Sequence, residues 1–139
     1  MKNRIYALIF FTILSLTINS CNSDDDKNVI ENLNGNYTGT FTVEYSNGDT
    51  FSNPVTVSFN EDNNYQSSAN NDYFPAGGNG TYEKNNSTIE YYDINIWTAN
   101  FDWNLILNGE YNYSINGDEL LISANKNDVG FYKYELTKE

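Results

Sequence analysis

From Asn32 to the C-terminus, apolar and polar residues alternate along the chain with a period of two. This pattern is typical of β-strands that bury one face, and no stretch shows the 3.6-residue period of an amphipathic helix. Tyr, Phe, Val, Ile and Thr, the residue types that strands favour, dominate the alternating runs. The pattern therefore predicts an all-β domain of eight antiparallel strands, over residues 36–46, 50–60, 64–69, 80–84, 87–95, 101–115, 118–125 and 131–137.

The register of each hairpin can also be predicted, because apolar residues on paired strands must lie opposite each other on the same face. Two-residue turns at Asn85-Asn86 and at Asn116-Gly117 satisfy this condition, and Asn-Gly is itself a strong hairpin signal. Longer loops fit the other turns. The predicted pairs are Tyr82 with Ile89, Tyr113 with Leu120, Tyr111 with Ile122, Tyr45 with Phe51, Phe41 with Val55, Phe59 with Tyr65, and Ala124 with Tyr132.

The pair Asn108-Gly109 looks like another hairpin turn, but it fails the same test. A turn there would place Trp103 opposite Ser114, which sets an apolar residue against a polar one. The apolar alternation instead continues in one phase through the pair. We therefore expect a single strand over residues 101–115, with Gly109 as a kink or a point of close approach and Trp103 facing the core.

Eight strands joined in sequence close into an up-and-down barrel, which removes the exposed sheet edges. The predicted domain is a barrel over residues 32–139, although Pro54 and the long loop over 70–79 leave an open sandwich as the alternative. The interior of an eight-stranded barrel is just wide enough to be filled by its own side chains or to hold one small ligand. The many inward aromatic residues favour filling, whereas small inward residues such as Ser67 and Ala124 favour a pocket near one end.

The first residues of the chain have a different character from the rest. Lys2 and Arg4 precede an apolar run over residues 5–18, which falls short of the ~20 residues that span a bilayer as a helix. A charged start followed by such a run predicts a helical signal peptide over residues 1–20. The run ends in a small residue directly before the only cysteine, Cys21, and this arrangement resembles a bacterial lipobox. The resemblance implies that Cys21 is lipidated and begins the mature chain.

Ser23, Asp24, Asp25 and Asp26 follow closely after the cysteine. This run resembles the surface-export tag of Bacteroidota-type lipoproteins. The resemblance implies a lipid-anchored protein of the outer membrane that is exposed on the cell surface. Its partner is then the membrane, which it contacts through the lipid on Cys21. A solvated acidic linker is the alternative reading of the same residues. In both cases residues 21–31 are expected to form a flexible acidic tether.

The start of the domain carries the pattern Leu33-x-Gly35-x-Tyr37-x-Gly39, which leads into the first strand. Followed by an eight-strand meander, this pattern resembles the lipocalin-like domains of small lipoproteins over residues 31–139. The resemblance implies a lipocalin-like barrel with one end open to a small apolar ligand.

The charge balance excludes several classes of function. The chain has 7 Lys+Arg against 19 Asp+Glu, and removal of residues 1–20 takes away Lys2 and Arg4, so the formal charge changes from −12 to −14. Such a charge repels phosphate backbones, so we expect no nucleic-acid partner. The absence of histidine removes histidine-dependent nucleophilic catalysis and, with a single cysteine, a zinc site. We expect neither a metal nor another cofactor.

Aromatic residues are the best candidates for ligand contact. Trp97 lies in a predicted loop, and Tyr73 and Phe74 lie in the long loop over 70–79, where functional contacts are common. Packing over the end of the barrel explains the same residues. The predicted ligand-binding set is Tyr73, Phe74, Trp97, Trp103, Tyr111 and Tyr113.

Paired carboxylates are the only catalytic machinery that the composition allows. Asp93 and Asp102 flank the tryptophans and form the better pair, but solvated carboxylates are the commoner outcome, so we expect no enzyme activity. Two functions remain open. In the first, the barrel binds a small apolar or glycan ligand in a cavity lined by Trp103, Tyr111 and Tyr113. In the second, the core is filled and the loops bind a protein partner.

Overall fold

The computed structural model of the protein describes residues 32–126 and 128–139. The predicted signal peptide, the lipidated cysteine, the export tag and the tether lie outside the described residues. The strands are β1 (Gly35–Tyr45), β2 (Thr50–Phe59), β3 (Asn64–Ser67), β4 (Gly78–Lys84), β5 (Thr88–Asp93), β6 (Gly109–Asn116), β7 (Glu119–Lys126) and β8 (Gly130–Lys138). A 3-10 turn spans Trp103–Leu105 between β5 and β6. No helix in this part of the chain is long and apolar enough to cross a membrane.

The strands form a closed antiparallel barrel in which each strand pairs with the next and β8 pairs with β1. At the closing seam, Phe41 of β1 lies opposite Tyr134 of β8. The predicted all-β, eight-stranded up-and-down barrel is confirmed, and its closure excludes the open sandwich. Gly39 lies at this seam because a side chain there would collide with the backbone carbonyl of Glu135.

The predicted hairpin registers are confirmed at two turns and wrong at three. Phe59 pairs with Tyr65 and Ala124 pairs with Tyr132, as expected. The observed pairs at the other three turns are Val43 with Phe51, Tyr82 with Tyr91, and Ile115 with Leu120. Each differs from the prediction by two residues, and a shift of two keeps every side chain on its predicted face.

The predicted strand over residues 101–115 is wrong. β6 begins only at Gly109, whose φ of 82° lies in the left-handed region that favours glycine, so the backbone leaves the strand at this residue. Before it, the chain forms the 3-10 turn, which begins after Asp102. Trp103, expected in the core, is in consequence 60% exposed.

Aromatic rings fill the interior of the barrel. The ring of Tyr134 lies 4.8 Å from that of Phe41 and 6.2 Å from that of Tyr111. Tyr91 in turn lies 5.7 Å from Tyr111 and 4.7 Å from Tyr65. All five side chains are buried, and such pairs contribute about 0.5–1.5 kcal/mol each beyond the area they bury. This chain of ring contacts crosses the barrel from the closing seam to β3, so the protein's own side chains occupy the core.

The up-and-down topology places alternate connections at opposite ends of the barrel. The connections over 46–49, 68–77 and 94–108, together with the β7–β8 turn, lie at one end, which we call the loop end. The described chain begins at the other end, the N-terminal end, where Leu33 is buried.

Two of these connections cover the interior at the loop end. Leu105, Ile106 and Leu107 are all buried there. The backbone N–H of Ala76 donates to the carbonyl of Leu105 at 3.0 Å, and that of Leu107 donates to the carbonyl of Gly77 at 2.8 Å. The connection after β3 and the connection after β5 are therefore joined by backbone hydrogen bonds into one cover.

Candidate functional site

A pocket of about 470 Å³ opens at the loop end, between the connections that follow β3 and β5. Its lining includes the amide side chains of Gln66, Asn79 and Asn95 and the aromatic side chains of Tyr73 and Trp97. We call it the loop-end pocket. Its lining combines flat apolar rings with amides that both donate and accept hydrogen bonds.

Tyr73 reaches this pocket from a strained backbone. Its φ is 62°, in a region that bulky residues rarely adopt. Asn70 holds the turn, because its Oδ1 accepts hydrogen bonds from the backbone N–H groups of Asp72 at 3.1 Å and Phe74 at 2.8 Å. The Tyr73 ring stacks on that of Phe101, with centroids 4.6 Å apart and planes 5° from parallel. Strain of this kind costs about 1–3 kcal/mol and is concentrated at functional sites.

Asp93 fixes the orientation of Trp97. Its Oδ2 accepts a hydrogen bond from the indole Nε1 of Trp97 at 2.6 Å. Its Oδ1 accepts from the backbone N–H of Asn79 at 2.7 Å and from Nδ2 of Asn95 at 3.0 Å. Because Asp93 is the last residue of β5, the barrel itself sets the positions of three residues of the pocket. The indole ring also packs edge-on against Phe101, with centroids 5.7 Å apart.

Asp102 forms a second hydrogen-bonded cluster at the loop end. Its Oδ2 accepts from the hydroxyls of Tyr132 at 2.6 Å and Tyr45 at 3.0 Å, and its Oδ1 accepts from the backbone and side chain of Asn104. Burial and the neighbouring carboxylate raise the pKa of both tyrosines. The hydrogen-bond partners of Asp102 differ from those of Asp93, so each carboxylate has a set of contacts of its own.

Exposed apolar side chains lie on the same connections as the pocket. Ile96 is 92% exposed and Ile94 is 71% exposed. Phe74 stacks on Phe51 with centroids 4.5 Å apart, and Phe51 is itself 41% exposed. A concentration of exposed apolar groups at one end of a domain is typical of a binding surface.

Four of the six residues predicted for ligand contact lie at the loop end. Tyr73 and Trp97 line the pocket itself. Phe74 packs outside it, and Trp103 is exposed with its Nε1 donating to the carbonyl of Ala99 at 3.3 Å. The loops therefore bring two of the predicted residues together in one pocket.

Tyr111 and Tyr113 do not belong to this pocket, and Trp103 does not share a face with them, as the hypothesis of a cavity lined by the three residues required. Tyr111 is buried within the ring contacts of the core. Tyr113 lies farther along β6 towards the N-terminal end, where its hydroxyl donates to the carbonyl of Asn85 at 2.8 Å. The break at Gly109 is the physical reason, because it removes Trp103 from the face that the two tyrosines share.

The sequence did not indicate how Asp93 and Phe101 act in the pocket. Asp93 stood out as one carboxylate of a catalytic pair, whereas it accepts hydrogen bonds that orient Trp97. Phe101 joins the rings of Tyr73 and Trp97, which lie in different connections. The sequence did contain one indication of the role of Asp93. It lies four residues before a loop tryptophan, Trp97, and this spacing suits a local hydrogen bond between the two side chains.

Lys126 approaches the loop end from the barrel wall. Its Nζ donates to the carbonyl of Asn108 at 3.0 Å and lies 4.1 Å from the ring centroid of Tyr111. Burial lowers its pKa, and the charge of Glu110 opposes this effect. Among the described residues, neither lysine nor arginine lines the loop-end pocket, so its lining offers no cationic side chain to an anionic ligand.

Within residues 32–126 and 128–139, no group of three or more acidic or cysteine side chains is placed to hold a metal ion. Comparison with protein-family models, with curated proteins and with solved structures found no match.

Proposed function

We propose that the protein is a lipid-anchored, lipocalin-like protein of the outer cell surface that binds an uncharged glycan in the loop-end pocket without transforming it. The observation that carries the proposal is the pairing of Tyr73 and Trp97 with the side-chain amides of Gln66, Asn79 and Asn95 in one pocket. A sugar ring has an apolar C–H face, which packs on an aromatic ring, and a rim of hydroxyls, which pair with amides.

The pocket is held in place before any ligand arrives. Asp93 accepts hydrogen bonds from Trp97 and Asn95, and Phe101 packs against both Trp97 and Tyr73. Binding then costs little ordering of side chains, and such preorganisation raises affinity. The filled core favours this external site over the interior of the barrel, which ring contacts such as that between Tyr91 and Tyr111 occupy.

The lack of a cationic side chain in the lining favours uncharged sugars over acidic ones. A carboxylated or sulfated sugar is best held by arginine or lysine, and neither lines the pocket among the described residues. The nearby carboxylate of Asp93 would repel such a ligand.

The end of the barrel at which the described chain begins determines where the proposed lipid anchor would attach. The described chain begins at residue 32 at the N-terminal end, opposite the loop-end pocket. Residues 21–31 span at most about 40 Å when fully extended. A lipid on Cys21 would therefore attach to the end of the barrel that does not carry the pocket, which keeps the pocket away from the attachment point.

Binding is tested with the chain beginning at Cys21, on an array of uncharged and acidic oligosaccharides, followed by titration calorimetry on the best uncharged ligand. We expect binding to uncharged glycans that Trp97→Ala reduces at least tenfold. Trp103→Ala is the matched control, because it removes an exposed tryptophan of the same connection that lies outside the lining. Equal affinity of both variants, or binding to acidic glycans alone, would contradict the proposal.

The anchor is tested separately in the cells that make the protein. Metabolic labelling with an alkyne fatty acid should label the natural chain and leave Cys21→Ala unlabelled. Protease treatment of intact cells should remove the barrel domain. A labelled protein that resists protease until the outer membrane is opened would retain the lipid but place the barrel inside the envelope.

A protein partner is the second candidate function, and the exposure of Ile94 and Ile96 favours it. These two side chains lie on the connection that carries Trp97, but they are absent from the lining of the pocket. The double variant Ile94→Ser, Ile96→Ser separates the two functions. It should keep glycan binding and abolish recruitment of a protein partner.

A further inference from the structure

Two tyrosine hydroxyls inside the barrel have no hydrogen-bond partner among the described residues. They are the hydroxyls of Tyr91 and Tyr134, whose side chains are 1% and 0% exposed. Buried polar atoms are nearly always paired in folded proteins, because an unpaired one loses its hydrogen bonds to water and gains none. Phenylalanine would fill the same space without this cost, and the core uses it at Phe41 and Phe59. The two hydroxyls therefore need an explanation.

Two neighbouring tyrosines, Tyr65 and Tyr111, pack against these side chains. Tyr65 packs on Tyr91, and its hydroxyl donates to the carbonyl of Leu107 at 2.5 Å. Tyr111 packs on both Tyr91 and Tyr134, and its hydroxyl reaches the carbonyl of Ile106 only at 3.5 Å. The hydroxyls of Tyr65 and Tyr111 thus lie beneath residues 106–107 at the loop end of the interior, and their rings pack against Tyr91 and Tyr134.

The same grouping is visible in the electrostatics of the core. Burial raises the pKa of Tyr91 and Tyr134, and the neighbouring phenol of Tyr111 raises both further. Tyr91 in turn raises the pKa of Tyr134. Such mutual effects are strong where the medium screens charge weakly, as in a buried core.

We propose that the hydroxyls of Tyr91, Tyr111 and Tyr134 together bind one water molecule inside the barrel. Each phenol donates one hydrogen bond and accepts others, and a buried water typically forms about three hydrogen bonds to groups that otherwise lack partners. Two unpaired hydroxyls and one that is engaged only at the limit of hydrogen-bond distance supply that number.

The water site lies under the floor of the loop-end pocket. Residues 106–107, which accept from Tyr111 and Tyr65, are joined to Gly77 by a parallel β-bridge and by a backbone hydrogen bond from Leu107. Gly77 lines the pocket. A water held by the three phenols would therefore stabilise residues 106–107, which in turn hold Gly77 in the lining of the pocket. This role does not depend on which ligand the pocket binds.

The experiment combines detection of the water with variants that remove single hydroxyls. In the natural sequence, NMR magnetisation transfer should show a long-lived water close to the side chains of Tyr91 and Tyr134, and a crystal structure should contain it. In the double variant Tyr91→Phe, Tyr134→Phe this signal should disappear. The detection step needs no variant, so it tests the proposal even if a substitution prevents folding.

Thermal unfolding is an independent test, because the direction in which Tm changes depends on whether the two hydroxyls bind a water. If the hydroxyls hold a water, Tyr91→Phe and Tyr134→Phe should each lower Tm by about 4 °C, the shift expected when one buried hydrogen-bonded group is lost from a domain of slightly more than 100 residues. If the hydroxyls are unpaired, each substitution removes a buried polar group without a partner and Tm should rise. Tyr65→Phe is the control, because its hydroxyl has the carbonyl of Leu107 as partner and its loss must lower Tm. A rise or no change in Tm for Tyr91→Phe and Tyr134→Phe, or no long-lived water in the natural sequence, would overturn the proposal.

Discussion

The hydroxyl of Tyr132 donates a hydrogen bond of 2.6 Å to the carboxylate of Asp102, which joins the last strand to the connection after β5. Tyr45 of the first strand donates to the same carboxylate oxygen at 3.0 Å. Asp102 therefore contacts both strands of the closing seam and holds the long connection across them. Charged acceptors form the stronger hydrogen bonds of proteins, so this residue is a principal support of the loop end.

Replacing Asp102 by alanine should lower the stability of the fold. Two partly buried hydroxyls lose their charged acceptor, and the 3-10 turn loses its cap, so we expect the free energy of unfolding in urea to fall by about 2–3 kcal/mol. Asp102→Asn keeps an acceptor oxygen and should lose less. Asp62→Ala, at an exposed turn, is the control. If Asp102→Ala unfolds at the same urea concentration as the control, the cluster contributes nothing.

Replacing Asp93 by alanine should free Trp97 while leaving the barrel folded. The measurement uses a Trp103→Phe background, in which Trp97 is the only tryptophan. Loss of the hydrogen bond to Nε1 should shift Trp97 emission to longer wavelength and speed the decay of its fluorescence anisotropy. Asp72→Ala in the same background is the control, since Asp72 lies on the neighbouring connection and is exposed. An unchanged anisotropy decay would mean that packing against Phe101 alone orients the indole.

The alternation of apolar and polar residues predicts most of the strands and their inward faces, but it predicts the register of strand pairing less reliably. Phe59 opposite Tyr65 was predicted correctly by matching the apolar residues nearest the turn. At the first hairpin, Val43 and Tyr45 are both apolar and both face inward, so either one satisfies the pattern opposite Phe51. The turn itself decides between them. Gly48, with a φ of 95°, closes a tight turn in which its N–H donates to the carbonyl of Tyr45.

The site was less predictable than the fold for a related reason. Alternation runs unbroken from Trp103 to Tyr111, yet the residues between them form a cover over the barrel end instead of a strand. Burial of Leu105 and Leu107 satisfies the same hydrophobic pattern in either conformation. The cover is favoured by the hydrogen bonds that the Asp102 carboxylate accepts from Tyr45 and Tyr132, which are distant from it in the sequence. A pattern in one segment carries no information about such partners.

Replacing Gly80 by alanine should destabilise the barrel strongly. A methyl group there would overlap the backbone carbonyl oxygen of Tyr92 on β5, and neither backbone can move without breaking the pairing of β4 with β5. We expect a loss of about 3 kcal/mol or more in the free energy of unfolding. Gly48→Ala is the matched control, because its φ of 95° carries a conformational cost but nothing lies near its added methyl. A loss no larger than that of Gly48→Ala would show that the two strands relieve the overlap at low cost, which would contradict the prediction.

Stability should fall steeply at alkaline pH. Burial raises the pKa of Tyr65, Tyr91, Tyr111 and Tyr134 above the ordinary value of 10.0. Below pH 10 these phenols are neutral in both states, so their contribution to stability is fully present. Above pH 10 the unfolded chain releases protons that the folded chain retains, and each tyrosine then costs up to about 1.4 kcal/mol of stability per pH unit.

Four such groups together lower the stability by up to about 5 kcal/mol per pH unit, so a domain of ordinary stability should unfold cooperatively within one to two units above pH 10. Lys126 acts in the opposite sense, because its lowered pKa favours the folded state as pH rises towards 10.5, but it is one group against several tyrosines. The measurement records circular dichroism and tyrosinate absorbance together along a pH titration. Both signals should change in one transition for the buried phenols, and Tyr65→Phe should make that transition less steep. Ionisation of the buried phenols well before the circular dichroism changes would mean that water reaches the core while the barrel is still folded.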